Sequence, residues 1–166
     1  MYYEDIFSQL DSAKVKYLVV GGMAINLYGI PRMTADLDLM LSPEKENLDK
    51  LVSILKELGY KPRVPVKLED FINAENREKW RKEKNMVMFT VVNPDLPFQE
   101  VDIFLSNPID FAEAYAHRQV IKAKGFNISL LSIEHLIALK EISAREQDLS
   151  DITALKQLKI ILKEES

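Results

Sequence analysis

The sequence predicts an α+β fold: a mixed β-sheet flanked by helices and followed by a C-terminal helical pair. Three observations predict it. An apolar, β-branched run at 17–20 leads through Gly21-Gly22 into a stretch of helix-forming composition. Aspartates interrupt two further apolar runs, at 36–41 and 98–105. From residue 132 onwards, apolar residues recur at helical spacing.

Length and composition limit the class of protein. With 166 residues the chain suits one domain, 1–166, with a sheet core over 1–131 and helices over 132–166. A hydrophobic fraction of 47%, with no apolar run of membrane-spanning length, predicts a cytoplasmic protein with no membrane partner. The absence of cysteine excludes disulfides and thiolate chemistry, and two histidines argue against a histidine-rich metal site. Any metal is therefore expected on oxygen ligands.

The order of elements follows from periodicity and from turn residues. In the first 60 residues the chain is expected to form helix 3–15, strand 17–20, helix 23–28, strand 36–41 and a packing helix from Ser42, as N-cap, to Gly59. Beyond the segment 61–84, the expected elements are a hairpin of strands 85–92 and 98–105, helix 107–115, strands 119–123 and 126–130, a helix capped by Ser132, and a last helix capped by Asp148 or Ser150.

The glycine pair Gly21-Gly22 has two interpretations. A glycine turn before a helix exposes backbone N–H groups that can bind a phosphate. The same pair also suits a plain tight turn that needs positive φ, and the pair by itself favours that simpler interpretation.

The aspartates give a sharper signal. Asp36 and Asp38 lie two residues apart within a strand of leucines, so both carboxylates point to one face and can converge on a divalent cation. Asp102 repeats the anomaly in a later strand, and Glu100 shares its face as a possible supporting group. The alternative is an edge strand with one solvated face, where such alternation is ordinary.

Two charged segments are ambiguous. The run ENREKWRKEKN around Trp80 is either a basic and aromatic contact for RNA or a partner, or a solvated helix or loop of mixed charge, and its composition favours the second. In the segment 140–151, Lys140 can reach a phosphate while Arg145 and Asp148 brace the site. Alternatively, this segment is a solvated helix end with acidic capping residues.

Together these motifs resemble the nucleotidyltransferase superfamily that includes DNA polymerase beta, kanamycin nucleotidyltransferase and the small "minimal" bacterial nucleotidyltransferases. The resemblance rests on a strand, a glycine pair with a helix, an R-x-T-x-D-x-D motif and a third aspartate. The matching residues are Gly21, Gly22, Arg32, Thr34, Asp36, Asp38 and Asp102. The spacing K-x4-R-x2-D-x2-D, from Lys140 to Asp151, resembles the abortive-infection toxin branch.

The resemblance implies a mechanism. Asp36, Asp38 and Asp102 would be the catalytic residues and would hold two Mg²⁺ ions, with Mn²⁺ as a possible substitute. Gly21, Gly22, Arg32, Thr34 and Lys140 would bind the nucleotide. The implied reaction moves an NMP from an NTP to a hydroxyl on a protein side chain, an RNA 3′ end or a small molecule, and it releases pyrophosphate.

Other functions are compatible with the same residues. One is a catalytically idle NTP-binding module that works through contacts in a toxin–antitoxin pair, with a helical antitoxin as the partner. Another is a two-metal phosphoesterase, against which the glycine pair and Arg32 favour a triphosphate donor. The acceptor, the preferred base and the oligomeric state are not encoded in any recognisable motif.

Overall fold

The computed structural model describes residues 2–165, so the two terminal residues of the predicted domain lie outside it. Within the described range the centre of the fold is a seven-stranded mixed sheet. Its strands are β1 Tyr17–Val20, β2 Asp36–Leu41, β3 Lys61–Pro62, β4 Met88–Asn93, β5 Leu96–Phe104, β6 Gln119–Ala123 and β7 Phe126–Leu130. They lie in the order β3-β4-β5-β2-β1-β7-β6. The predicted mixed sheet is confirmed.

Parallel and antiparallel pairs alternate across the middle of the sheet. β2 is antiparallel to β1 and parallel to β5, while β5 forms the expected hairpin with β4. On the other side β1 is parallel to β7, which forms a second hairpin with β6. As a result, the two strands that carry aspartates lie side by side at the centre of the sheet.

Helices cover the sheet and continue past it. Over the described residues they are α1 Glu4–Ser12, α2 Gly21–Leu27, α3 Lys45–Glu57, α4 Ala74–Lys84, α5 Phe111–Ala116, α6 Ile133–Ser143 and α7 Glu146–Glu165, with a 3₁₀ helix over Leu68–Ile72. The predicted C-terminal pair corresponds to α6 and α7. Within the described part of the chain, no helix combines the length and the apolar character needed to cross a bilayer.

The central strands alternate between two environments. Leu37 and Leu39 of β2, and Val101 and Ile103 of β5, are fully buried in the apolar core. The residues between them are acidic and face the other side of the sheet. This alternation allows the same two strands to support both the core and a polar site.

Several predicted helix starts differ from the structure. Ser42 does not cap α3, whose N-cap is Glu44, because Ser42 still follows the strand and its backbone N–H donates to the Lys16 carbonyl at 3.1 Å. Helix α5 begins at Phe111 rather than near Asn107, since the Asn107 side chain instead donates to the Leu41 carbonyl at 2.9 Å. Helix α2 already begins at Gly21.

The C-terminal helices show one correct and one wrong capping prediction. Ser132 caps α6, and its hydroxyl accepts a hydrogen bond from the His135 N–H at 3.1 Å. Helix α7 begins at Glu146, earlier than either predicted cap. Asp148 lies within the first turn and reaches back to accept from the Arg145 N–H at 3.1 Å, which satisfies a donor at the helix start.

The charged run around Trp80 is helix α4, as its composition favours. Its charged residues are largely exposed, whereas Trp80 is 6% exposed and stacks on Phe89 of β4, with ring centres 5.4 Å apart. Trp80 is therefore not available to contact RNA or a partner, and such a contact by the exposed basic residues of the run stays a prediction. The indole anchors α4 to the sheet instead.

Candidate active site

Strand register brings four carboxylates together on one face of the sheet. Asp36 pairs with Glu100, and Asp38 pairs with Asp102, across the parallel strands β2 and β5. Residues two apart on a strand share a face, and directly paired residues of neighbouring strands also share one. The four acidic side chains therefore form a two-by-two cluster, called here the acidic cluster.

Three of these residues can hold one ion. Asp36, Glu100 and Asp102 each offer a carboxylate oxygen, and the three oxygens lie within 4.8 Å of one another. From the sequence, Asp38 is expected in this set, and Glu100 is expected only as a possible supporting group. The structure puts all three predicted aspartates in one cluster and adds Glu100 to it.

Asp38 occupies a separate position, against the glycine turn. A Cβ placed on Gly21 would lie 2.2 Å from Asp38 Oδ2, so only a glycine permits this approach. Gly21 also has a φ of +68°, a conformation that suits glycine. Both demands are met by the first glycine of the predicted pair.

Burial and mutual repulsion raise the proton affinity of the cluster. Burial, followed by the charges of Asp102 and Asp36, raises the pKa of Asp38 to about 7. Burial and the charge of Glu100 likewise raise the pKa of Asp36. The pKa of Asp102 is raised mainly by burial, although the Thr90 hydroxyl donates a hydrogen bond that opposes the shift.

The cluster is supported by groups that the sequence analysis did not identify. Arg63 Nη1 donates to Glu100 Oε1 at 3.0 Å, and a second contact joins Nη2 to Oε2. The single proton of the buried Tyr3 hydroxyl lies within hydrogen-bond reach of the carbonyls of Ala35 and Glu100, and its oxygen accepts from the Glu100 N–H at 2.9 Å. Tyr3 therefore fixes the backbone beside Asp36 and Glu100. No sequence pattern marks either residue.

Arg32 and Thr34 lie over the second glycine. A Cβ on Gly22 would lie 1.8 Å from Arg32 Nη1 and 2.9 Å from Thr34 Oγ1. Arg32 Nε also lies 3.1 Å from Asp151 Oδ1 of α7. The motif residues Gly22, Arg32 and Thr34 are thus in contact, and Arg32 links them to the C-terminal helices.

Lys140 lies in a buried ionic network. Its Nζ is 3.1 Å from Asp148 Oδ1 and 3.0 Å from Asp151 Oδ2, and its side chain is 8% exposed. The alternative of a solvated helix end is wrong, because Asp148 and Asp151 are also buried. Arg145 Nε braces Asp148 at 3.0 Å, as expected for a supporting group.

Hydrogen bonding keeps Asp148 ionised within this network. Burial raises the pKa of Asp148, but hydrogen bonds from Arg145, Ser143 and Lys140 lower it by more. The net result is a pKa below the ordinary value of an aspartate. The network contains three cationic and two anionic side chains when Arg32 and Asp151 are included. One positive charge is therefore left for an anionic ligand.

The acidic cluster and the ionic network border the same cleft, which has a volume of about 740 Å³. Every residue of the predicted site lines it: Gly21, Gly22, Arg32, Thr34, Asp36, Asp38, Asp102 and Lys140. An apolar wall faces them, formed by Val87 and Met88 at the start of β4, Phe104 of β5, and Leu136 and Leu139 of α6. The cleft therefore combines acidic, basic and apolar surfaces.

Known structures share this fold. The lincosamide antibiotic adenylyltransferase LnuA, in its lincomycin-bound crystal structure, is 19% identical, with a TM-score of 0.59 over 92% of this chain and 93% of that one. ANT(2″)-Ia in complex with adenylyl-2″-tobramycin is 15% identical, with a TM-score of 0.54 over 97% and 94%. An antigenic nucleotidyltransferase-like protein from Paracoccidioides brasiliensis is 19% identical, with a TM-score of 0.55 over 93% and 73%.

Sequence comparison gives the family. No curated protein matches the chain significantly. The family model described as nucleotidyl transferase AbiEii toxin, type IV toxin–antitoxin system, matches residues 7–164. The match spans nearly the whole chain and agrees with the resemblance that the motifs predict. The protein is therefore a nucleotidyl-transferring enzyme that belongs to the AbiEii family of toxins from type IV toxin–antitoxin systems.

Proposed function

We propose that this protein transfers an NMP from an NTP to a hydroxyl acceptor, with Mg²⁺ as the cofactor and pyrophosphate as the second product. The observation that carries the proposal is the acidic cluster, which lies in one cleft with Arg32 and the glycine pair. A cleft that places carboxylates beside a phosphate-binding arginine suits a metal–triphosphate complex.

The donor set fits a hard divalent cation. Asp36, Glu100 and Asp102 supply carboxylate oxygens within 4.8 Å of one another, and Mg²⁺ and Mn²⁺ prefer such ligands. Burial, and with it the charge of Glu100, raises the pKa of Asp36 and of Asp102, so a bound cation would offset the repulsion among these carboxylates. When bound, two such ions would neutralise phosphate charge and stabilise the attacking and leaving oxygens of an in-line displacement.

The chain's own residues have separate tasks in this proposal. Arg32, held over Gly22, binds the β and γ phosphates of the donor, and Thr34 contacts the same group. The ionic network around Lys140 keeps Arg32 in place and adds one net positive charge to that side of the cleft. Asp102, with its raised pKa, accepts the proton of the attacking hydroxyl.

The apolar wall gives the nucleoside a place opposite the phosphates. Leu136 and Leu139 of α6 line the cleft together with Val87 and Met88, and these apolar side chains can contact a base without hydrogen bonds to its edge. The acceptor hydroxyl then approaches Asp102 from the open side of the sheet, where Glu100 lies on the same face. Phe98 is 81% exposed and is available to contact that acceptor.

Partner and location follow as parts of the same proposal. Membership in a toxin family of type IV systems supports an antitoxin partner, and the predicted helical character of that partner stays a prediction. We likewise propose that 1–166 acts as one catalytic domain in the cytoplasm. The acceptor is proposed as an RNA end or a protein side chain.

The test is transfer of label from each α-³²P-labelled NTP to RNA or protein in a lysate with Mg²⁺. The test variant is Asp36→Asn/Asp102→Asn, and the matched control is Asp49→Asn, an exposed aspartate of α3. Label that moves with the wild type and the control, but not with the double variant, supports the proposal. Metal-dependent NTP binding without transfer would favour the idle module, and absence of binding would contradict the site.

A further inference from the structure

The only two histidines of the chain, His117 and His135, are brought together by the fold. His117 follows the last residue of α5, and His135 lies in the first turn of α6. Their ring centres are 6.0 Å apart, with an angle of 61° between the ring planes. Neither residue lines the active-site cleft, so the proposed reaction does not explain the pair.

Hydrogen bonding leaves the same nitrogen available on each ring. His117 Nδ1 lies 3.0 Å from the Glu113 carbonyl, which can only accept, so Nδ1 carries the proton. His135 Nδ1 contacts the Ser132 hydroxyl at 2.8 Å. Among residues 2–165, neither Nε2 atom has a hydrogen-bond partner. His117 therefore presents an Nε2 lone pair, and His135 presents one in the tautomer whose Nδ1–H donates to the Ser132 hydroxyl.

We propose that His117 and His135 form a binding site for a transition-metal ion such as Zn²⁺ or Cu²⁺, separate from the acidic cluster. An ion held about 2.1 Å from each Nε2 would place the ring centres roughly 5 to 6.5 Å apart, which includes the observed spacing. Imidazole is a preferred ligand of zinc, copper and nickel, whereas Mg²⁺ prefers oxygen. The two sites therefore select different ions.

The surroundings of the pair suit a bound cation. In metal sites, the second ring nitrogen of a histidine usually donates to a carbonyl or another oxygen, which fixes the ring. The Glu113 carbonyl and the Ser132 hydroxyl occupy those positions here. His117 is exposed and His135 is half-buried, so an ion can enter and water can complete its coordination.

Neighbouring charges do not oppose the site strongly. The guanidinium of Arg118 lies over the Tyr115 ring, 3.8 Å from its centre, and donates to the Tyr115 carbonyl at 2.9 Å. Glu134 lies close enough to His135 for their charges to interact, and its carboxylate is 3.5 Å from Lys159 Nζ. A bound ion would connect the end of α5 to the start of α6, the helix that carries the apolar wall.

The test is calorimetric titration of the full chain with Zn²⁺ in excess Mg²⁺, which occupies the carboxylates. We expect one Zn²⁺ per chain in the wild type and in Asp36→Asn/Asp102→Asn. His117→Gln and His135→Gln are each expected to weaken the affinity by about 100-fold or more, since each loses one of two protein ligands. Asp49→Asn is the control that should bind normally.

A second readout does not depend on any variant. Electron paramagnetic resonance of the wild type with one equivalent of Cu²⁺ should show coupling to two imidazole nitrogens, and each glutamine variant should lose at least one. Zn²⁺ affinity that survives in both glutamine variants would overturn the proposal. Zn²⁺ binding that disappears only in Asp36→Asn/Asp102→Asn would overturn it as well, because it would place the ion in the acidic cluster.

Discussion

Replacement of Asp38 by asparagine should stabilise the metal-free protein while it removes activity. Asp38 is held beside Asp36 and Asp102, and burial followed by their charges raises its pKa to about 7. An unfolded chain gives an aspartate its ordinary pKa, near 3.9. Between these two values the folded state binds more protons than the unfolded state, so the Asp38 contribution to stability falls as pH rises from about 4 to about 7.

The size of the effect follows from the two pKa values. At pH 8 the ionised Asp38 lowers the free energy of unfolding by at most about 4 kcal/mol relative to its neutral form. At pH 5 the same comparison gives only about 1.5 kcal/mol, because folded Asp38 is then protonated. Asparagine has the shape of the neutral acid and can donate to Asp102 as the protonated carboxyl does. Asp38→Asn should therefore gain about 4 kcal/mol at pH 8 and about a third of that at pH 5.

The assay is urea unfolding at pH 8 and pH 5, in EDTA and in Mg²⁺. Mg²⁺ should stabilise the wild type and reduce the advantage of the variant, because a cation supplies the charge that the cluster lacks. Asp49→Asn, which removes an exposed i,i+4 ion pair with Lys45, should change the free energy of unfolding by less than about 0.5 kcal/mol. An Asp38→Asn protein that is no more stable than the wild type at pH 8 in EDTA, or equally stabilised at both pH values, would refute the reasoning.

Three further changes test the supports of the site. Tyr3→Phe should lower the free energy of unfolding measured in urea by about 2 to 3 kcal/mol, because the buried backbone groups beside the acidic cluster lose their partner. An unchanged free energy of unfolding would contradict this role of Tyr3. Gly22→Ala should raise KM for NTP by about tenfold and also lower the melting temperature, since the new methyl group displaces Arg32 from its place and from its buried partner Asp151. An unchanged KM would separate Arg32 from the donor. Trp80→Ala should lower the free energy of unfolding measured in urea by about 3 to 5 kcal/mol, because Trp80 stacks on Phe89. The same variant should leave KM for NTP unchanged when it is assayed while folded.

The sequence predicts which aspartates the fold brings together at the candidate site, because rules of local geometry act there. Aspartate is costly in a buried strand, so its presence at 36, 38 and 102 marks a function, and the period of two on a strand places the first pair on one face. The pairing of β2 with β5 is not local: the two strands are about 60 residues apart in the chain. For this reason Glu100 could be placed beside Asp102 but not opposite Asp36.

The parts that the sequence did not predict depend on tertiary contacts. Arg63 belongs to a segment without regular periodicity, and its role is visible only once β3 has paired with β4 beside Glu100. Trp80 lies in a run so charged that local composition gives an exposed helix, yet one aromatic residue suffices to anchor that helix to the sheet. Local composition describes the exposed side of such a helix and misses the single residue that orients it.

Lys140 shows how the structure changes the meaning of a motif. A lysine beside a phosphate site suggests a direct ligand, but here its charge is already balanced by Asp148 and Asp151 within 3.1 Å. Removing one partner of such a buried group leaves the other uncompensated, which costs more than the pair contributes. Since Asp151 also contacts Arg32, the spacing K-x4-R-x2-D-x2-D would preserve the position of Arg32 even without direct contact between Lys140 and the nucleotide. Direct binding by Lys140 would use the third N–H of its ammonium group, since its two aspartate partners occupy two and Lys140 lines the cleft.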